Sequence, residues 1–337
     1  NAYSDAWFAG HQTLVDTVFG EVKSRVQETD VAAPVRNGAW WYVSRTEEGR
    51  QYPIHCRGTS RDTATDAVLL DENVEADGHD YFSIHVFDVD ESQHLLAWSV
   101  DTDGSEEYTI RIRDLDTGVD LTDELVDTTW GGSAWSADST WLFYVTADEQ
   151  MRPSRVWRHC VGTPQSDDVV VFDEPDERFY VSVELTRSRR WIVIESASKT
   201  SSEMLLVPAD RPTEPARAAV PRRDDVEYSI DDWGDRWVVL TNLGATDFRV
   251  MTAPTDDPAA WTAANGTRRR RNRARGRASA SATSCNTPRR HRRPGARTTS
   301  TSPAPMPTAP SSRSPGAPRA RPRSAPRGRG WRRASPT

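Results

Sequence analysis

Trp141-Leu142-Phe143-Tyr144-Val145 is an unbroken apolar and aromatic run, and four relatives of it recur along the chain. They are Trp40-Trp41-Tyr42-Val43, Leu95-Leu96-Ala97-Trp98, Trp191-Ile192-Val193-Ile194 and Trp237-Val238-Val239-Leu240. The last four of the five begin 46, 50 and 46 residues apart, and the first begins 55 residues before the second. Each is followed 10 to 14 residues later by another strand-like segment: Tyr52 to Cys56, Tyr108 to Leu115, Arg155 to Val161, Glu203 to Val207 and Phe248 to Ala253. Ahead of the later four come Phe82 to Val89, Ser133 to Trp135, Phe179 to Leu185 and Tyr228 to Ile230. Further strands, Ala67 to Leu70 and Val169 to Phe172, lie between units.

Four short strands in each unit of about 45–50 residues are the pattern of β-propeller blades. A lone four-stranded meander cannot bury both of its faces, so neighbouring blades must stack around an axis. The continuous apolar runs are then middle strands, covered on both sides. Asp, Gly and Ser mark the turns, as in Asp101-Thr102-Asp103-Gly104 and Asp116-Thr117-Gly118. A β-sandwich has similar strands, but the regular spacing favours the propeller. The expected fold is all-β: a partial propeller with four to five four-stranded blades at 34–264. An N-terminal helical segment at 1–33 precedes it. Residues 2–28 read as one helix, with Leu14, Val15, Val18, Phe19, Val22 and Val26 on a face that needs a partner.

Composition changes abruptly after Trp261. From Arg268 to Thr337 there are 20 Arg and no Asp, Glu or Lys. The chain as a whole has 43 basic and 50 acidic residues, so residues 1–267 hold 23 basic against 50 acidic, a net −27. That charge repels phosphates and argues against nucleic acid as a partner of the first part. Residues 265–337 lack the apolar content to offset ordering entropy and are expected to be disordered. Their Arg/Pro/Ser/Thr/Ala mixture reads as a frame-shifted stretch of GC-rich coding sequence. Nucleic-acid binding through Arg268–Arg271 and the later arginines is the weaker reading, since Trp331 is the tail's only aromatic residue.

Little in the first part carries chemistry. Gly131-Gly132-Ser133-Ala134-Trp135 has Trp where a nucleophile elbow needs Gly. Cys56, Cys160 and Cys285 form no metal or disulfide pattern, and Cys56 and Cys160 read as buried structural thiols. His55 and His159 fall in expected strands and His79 in a loop. Asp71-Glu72, Asp224-Asp225 and Asp231-Asp232 read as solvated turns, with the possibility that a few acidic residues line a propeller rim and attract basic peptides. No catalytic residue, cofactor or metal is expected. No 18-residue apolar run or signal peptide is present, and a cytoplasmic setting is the default.

Several long strings, in order, carry a resemblance. They are Trp41-Tyr42-Val43-Ser44-Arg45-Thr46-Glu47-Glu48-Gly49-Arg50-Gln51-Tyr52-Pro53-Ile54, Leu70-Asp71-Glu72-Asn73, Gly78-His79-Asp80-Tyr81-Phe82, and Tyr144-Val145-Thr146-Ala147-Asp148-Glu149 with Arg152-Pro153 and Val156-Trp157-Arg158-His159. Glu174-Pro175-Asp176-Glu177-Arg178-Phe179 and Ser198 to Glu203 continue them. From about Asn1 to Trp261 the chain resembles the N-terminal part of oligopeptidase B (protease II), in the prolyl oligopeptidase family of serine peptidases. The resemblance implies a seven-bladed propeller capping an α/β-hydrolase domain whose Ser–Asp–His triad cleaves short peptides after Arg or Lys. It implies that the propeller limits access and that the N-terminal helical segment packs on the catalytic domain. The triad belongs to the C-terminal domain, so none of its residues can be carried over. The expectation is a fragment, inactive alone, whose missing partner is that hydrolase domain and whose intact relatives take short basic peptides. A free-standing propeller used as a binding module is the alternative.

Overall fold

In the computed structural model the described residues are 1–264. Expectations for 265–337, including the tail's disorder, Cys285 and the Arg268–Arg271 run, lie outside them.

Two helices open the chain, α1 (Ala2–Ala9) and α2 (Gln12–Lys23), where one helix over 2–28 was expected. The break falls at Gly10, which disfavours helix by about 1 kcal/mol relative to Ala, and at His11, whose backbone leaves the helical region (φ −122°, ψ 14°). The His11 ring holds the break. It contacts the Trp7 carbonyl at 2.9 Å and stacks on the Trp7 ring. Leu14, Val18, Phe19 and Val22 project from α2 and are exposed, so the expected apolar face exists and is bare.

Twenty antiparallel strands follow among the described residues. The short β1 (Asp30–Val31) and β2 (Val35–Asn37) both pair with β3 (Trp40–Thr46), which continues into β4 (Ile54–Gly58) and β5 (Ala67–Asp71) as the first blade. A one-turn helix, α3 (Glu72–Glu75), leads out of it, with the Asp71 side chain accepting from the Asn73 N–H at the cap. The second blade is β6 (Ser83–Val89), β7 (Leu95–Asp101), β8 (Tyr108–Asp114) and the first half of β9 (Val119–Trp135). The third is the second half of β9 with β10 (Trp141–Ala147), β11 (Pro153–Cys160) and β12 (Val169–Asp173). The fourth comprises β13 (Tyr180–Leu185), β14 (Trp191–Ala197), β15 (Ser202–Pro208) and β16 (Arg217–Ala218). The fifth comprises β17 (Tyr228–Asp232), β18 (Arg236–Thr241), β19 (Arg249–Pro254) and β20 (Thr262–Ala263).

All five apolar runs are second strands of blades. In β7, Leu96 to Asp101 are buried without interruption, and in β10 Leu142 to Val145 are too. Burying a Leu, Val or Phe side chain among them stabilises by about 1.5–3 kcal/mol. The third and fourth blades meet through Phe143, Val145 and Val156 on one side and Val183, Ile194 and Leu205 on the other. The fourth and fifth meet through Val193, Met204 and Leu206 against Ile230, Trp237 and Val239. In β18 burial alternates: Trp237 and Val239 are buried, while Leu240 is 46% exposed and Val250 beside it on β19 is 50% exposed. The fifth blade therefore packs on one face and presents the other to solvent.

The shared strand β9 was not expected. It pairs with β8 through Thr128 and with β10 from Thr128 to Trp135, so the second and third blades form one seven-stranded sheet. Gly131 and Gly132 make the passage possible. A Cβ on Gly131 would lie 2.6 Å from the Val145 side chain. Gly132 has φ +83°, and a Cβ there would lie 2.7 Å from the Val183 carbonyl oxygen of the next blade. Both the left-handed backbone and the fixed carbonyl oppose any side chain. Gly132→Ala is expected to lower stability by about 2–4 kcal/mol, read as a fall in the denaturation midpoint. An unchanged midpoint would contradict this packing.

Candidate functional site

The first strands of successive blades lie side by side: β6 touches β9, and β9 touches β13. The turns after them reach across neighbouring blades. Arg189 pairs with Glu91 at 2.6 Å, bridging the fourth blade to the second, and the Ser92 N–H donates to Ser139 Oγ at 3.3 Å. Acidic side chains collect along these strands. Glu184 on β13 and Asp231 on β17 line one recess together. Glu195 on β14 is the cross-strand partner of Ser182, whose hydroxyl donates to it at 3.4 Å.

Burial, reinforced by the Asp231 charge, holds the Glu184 carboxyl above its ordinary range. Glu195 is raised by burial and then by the Glu184 charge, with the Ser182 hydroxyl pulling the other way. Arg187 is the one basic residue lining the recess that Glu184 and Asp231 share. These groups gain from any cation that approaches, and in its absence they repel one another. A carboxyl whose folded pKa is raised binds more protons folded than unfolded. Its unfavourable contribution is absent at low pH and develops as pH rises through the folded pKa. Glu195→Gln is therefore expected to raise the melting temperature at pH 7–8 and to leave it nearly unchanged near pH 4. The gain is about 1 kcal/mol or less, because Glu195 is only half-buried and water screens it. A loss of stability at pH 7–8 would contradict the unpaired charge.

Asp88, near the end of β6, is the most perturbed carboxyl. Burial pushes it up to about 7, with the Ser133 hydroxyl and Arg189 pulling down and Asp90 pushing up. Ser133 Oγ donates to Asp88 Oδ2 at 3.2 Å, and Trp135 Nε1 donates to the Asp88 carbonyl at 3.0 Å. The elbow-like string thus serves as a strand whose serine and tryptophan fasten the third blade to the second.

The two strand histidines are embedded in carboxylate networks. On β4, His55 contacts Ser44 Oγ at 2.9 Å through Nδ1 and Glu72 Oε1 at 2.7 Å through Nε2. This serine–histidine–carboxylate chain lies against the Phe87 ring of the second blade (4.4 Å between centroids), which makes it a packing element. On β11, His159 is fully buried between Asp123 and Asp168. His79 is exposed after α3, beside a recess that also contains Glu75, Asp101, Asp103 and Glu107. Asp101 is already filled there, accepting from the N–H groups of Asp103, Gly104 and Glu106.

Two of the three acidic pairs depart from the solvated reading. Glu72 is buried against His55, and Asp232 is buried under Arg190 (2.6 Å) and the Ser188 hydroxyl. Asp224-Asp225 is an exposed turn as expected. Of the thiols, Cys56 is buried, and burial raises its pKa against the pull of Arg45, whereas Cys160 is only half-buried because it ends β11. Sequence reasoning missed Glu184, Glu195 and Asp88, whose isolated positions within apolar strands carried no motif.

Residues 1–265 match the family described as "Prolyl oligopeptidase, N-terminal beta-propeller domain". The chain belongs to the prolyl oligopeptidase family, and its described blades are that N-terminal propeller. Within the family the likeness is to oligopeptidase B, as the sequence strings implied. The chain is 29% identical to oligopeptidase B from Leishmania major, with a TM-score of 0.71 over 77% of this chain and 37% of that one. Against oligopeptidase B from Trypanosoma brucei with covalently bound antipain, in a closed form, the TM-score is 0.68 at 29% identity, over 75% and 36% of the two chains. Among curated proteins it is 39% identical to dipeptidyl aminopeptidase BI of Pseudoxanthomonas mexicana over 273 residues, 76% of this chain and 38% of the relative. It is 33% identical to protease 2 of Moraxella lacunata over 252 residues, 73% of this chain and 36% of the relative. The chain thus spans a little over a third of the length of these relatives.

Proposed function

We propose that this chain is the access-limiting propeller part of an oligopeptidase that cleaves short peptides after Arg or Lys. The chemistry is performed by an α/β-hydrolase domain, and the propeller admits short, basic substrates. The helical segment within 1–33 offers the bare face of α2 to that domain, and residues 34–264 are the propeller. Among the described residues Cys56 and Cys160 form no disulfide, in keeping with a reducing, cytoplasmic setting. No helix among the described residues is long and apolar enough to cross a membrane.

The observation that carries this reading is the set of carboxylates on and beside the inner strands: Glu184 and Asp231 line one recess, in which Arg187 is the one basic residue, and burial and mutual repulsion hold Glu184 and Glu195 above their ordinary range. A cationic side chain passing these strands relieves that repulsion, and the net charge of −27 over residues 1–267 concentrates cations near them. Titration of the chain with a fluorescent Arg-containing tetrapeptide tests it. Binding should weaken as salt rises and fall several-fold in Glu184→Gln/Asp231→Asn. The peptide should remain intact, with or without Ser133→Ala. Equal affinity for an acidic tetrapeptide would overturn the substrate class. Turnover abolished by Ser133→Ala would overturn the assignment of chemistry to another domain.

A further inference from the structure

The seam between the second and third blades contains a polar group that the access role does not use. His159 stands on β11 in the third blade with its side chain fully buried. Its Nε2 lies 2.9 Å from Asp123 Oδ1 on β9, in the second-blade half of that strand. Its Nδ1 lies 2.7 Å from Asp168 Oδ1, immediately before β12. Asp168 also accepts from the Tyr144 hydroxyl of β10 at 2.8 Å, and Asp123 Oδ1 accepts from the Gly162 N–H. Gln165 completes the group, donating to Tyr144 Oη at 3.3 Å and to the Val126 carbonyl of β9 at 3.0 Å.

A neutral imidazole has one N–H and one lone pair. With a carboxylate oxygen at hydrogen-bond distance from each nitrogen, a neutral ring would set one lone pair against another inside a dry interface. Only the imidazolium donates to both. We infer that His159 is a doubly protonated clamp joining the second and third blades, and that loss of its proton loosens this seam.

The charged and titratable groups facing the ring are Asp123 from β9, Asp168 from the approach to β12 and, one bond further, Tyr144 from β10; Gln165 is neutral. Burial opposes the charge on the ring, but the bonds to Asp168 and Asp123 outweigh it and hold the histidine above its ordinary pKa. Burial also raises the Tyr144 hydroxyl, so it stays a donor through the same range. A histidine whose folded pKa is raised contributes its full stabilisation below about 6.5, its unfolded value. The contribution disappears as pH rises through the folded pKa. The clamp therefore weakens on the alkaline side, opposite to an ordinary buried neutral histidine, which weakens a fold in acid.

Two measurements on the full chain test this. Nitrogen-15 histidine spectra at pH 7.5 should contain a ring with both nitrogens protonated and both protons protected from exchange. Only neutral rings at that pH would overturn the proposal, and this result needs no variant. Melting temperatures of the wild type and His159→Gln from pH 6 to 10 should differ most at pH 6 and converge as pH rises. Parallel curves across the range would also overturn it. If His159→Gln does not fold, Asp123→Asn, which keeps the ring and removes one charged acceptor, takes its place with the same expected convergence.

Discussion

Arg152→Met is expected to lower stability by about 3–5 kcal/mol, one of the largest losses available to a single substitution in this chain. The guanidinium of Arg152 is enclosed where the third blade passes to the fourth. Its Nε donates to Asp148 Oδ2 at 2.8 Å. Nη1 donates to the carbonyls of Phe179 (2.7 Å) and Asp176 (3.1 Å), and Nη2 to that of Glu174 (3.2 Å). One planar fork thereby donates to three backbone carbonyls of the loop between β12 and β13, a loop outside the strand ladders. Methionine fills part of the volume and leaves the Glu174 and Phe179 carbonyls without this donor, while the Asp176 carbonyl keeps the Phe179 N–H at 3.0 Å. Arg152→Lys keeps the charge but reaches fewer of them, so an intermediate loss is expected. Urea denaturation of the three proteins checks the order. A methionine variant within about 0.5 kcal/mol of wild type would show that the cage carries no weight.

The second large effect is a contrast across one strand. Trp237 and Leu240 both belong to β18, on opposite faces. Trp237 has no exposed surface and packs among Met204, Tyr228 and Val239. Trp237→Ala is expected to cost about 3–5 kcal/mol through lost burial and the cavity left behind. Leu240→Ala, on the bare face, should change stability by no more than about 0.5 kcal/mol. The same bare face, with Val250 beside it, is a surface on which chains can associate. Leu240→Asp should therefore reduce concentration-dependent self-association in sedimentation without lowering the melting temperature. A Leu240→Ala loss comparable to that of Trp237→Ala would mean that the fifth blade is covered on both faces.

The contrast also explains what the sequence could reveal. Continuous apolar runs leave an unmistakable pattern, so β3, β7, β10, β14 and β18 were legible, and so was the blade repeat, although β18 turned out to be buried on one face only. The strand β9 was not, because Asp120, Thr122, Asp123, Glu124, Asp127 and Thr128 interrupt its first half and hide its continuity with Ser133-Ala134-Trp135. The helix break at Gly10–His11 was overlooked because the apolar spacing from Leu14 to Val26 is strong enough to suggest a longer helix. Misread acidic residues share one cause, since their partners are distant in sequence. Glu72 meets His55 from 17 residues away and Asp232 meets Arg190 from 42. The same holds for the carboxylates of the proposed site. Glu184 and Asp231 come together only because adjacent blades place their first strands side by side. Family membership was legible because long, ordered strings identify a family even where no single residue announces a function.

The central claim is that these blades admit short basic peptides to a hydrolase domain. Its most direct test is a chimera in which residues 1–264 replace the matching N-terminal part of the Pseudoxanthomonas mexicana relative, assayed on an Arg-containing tetrapeptide and on an unfolded protein containing the same cleavage sequence. An access-limiting propeller should let the chimera cleave the tetrapeptide after Arg and refuse the protein. Equal cleavage of both would contradict it.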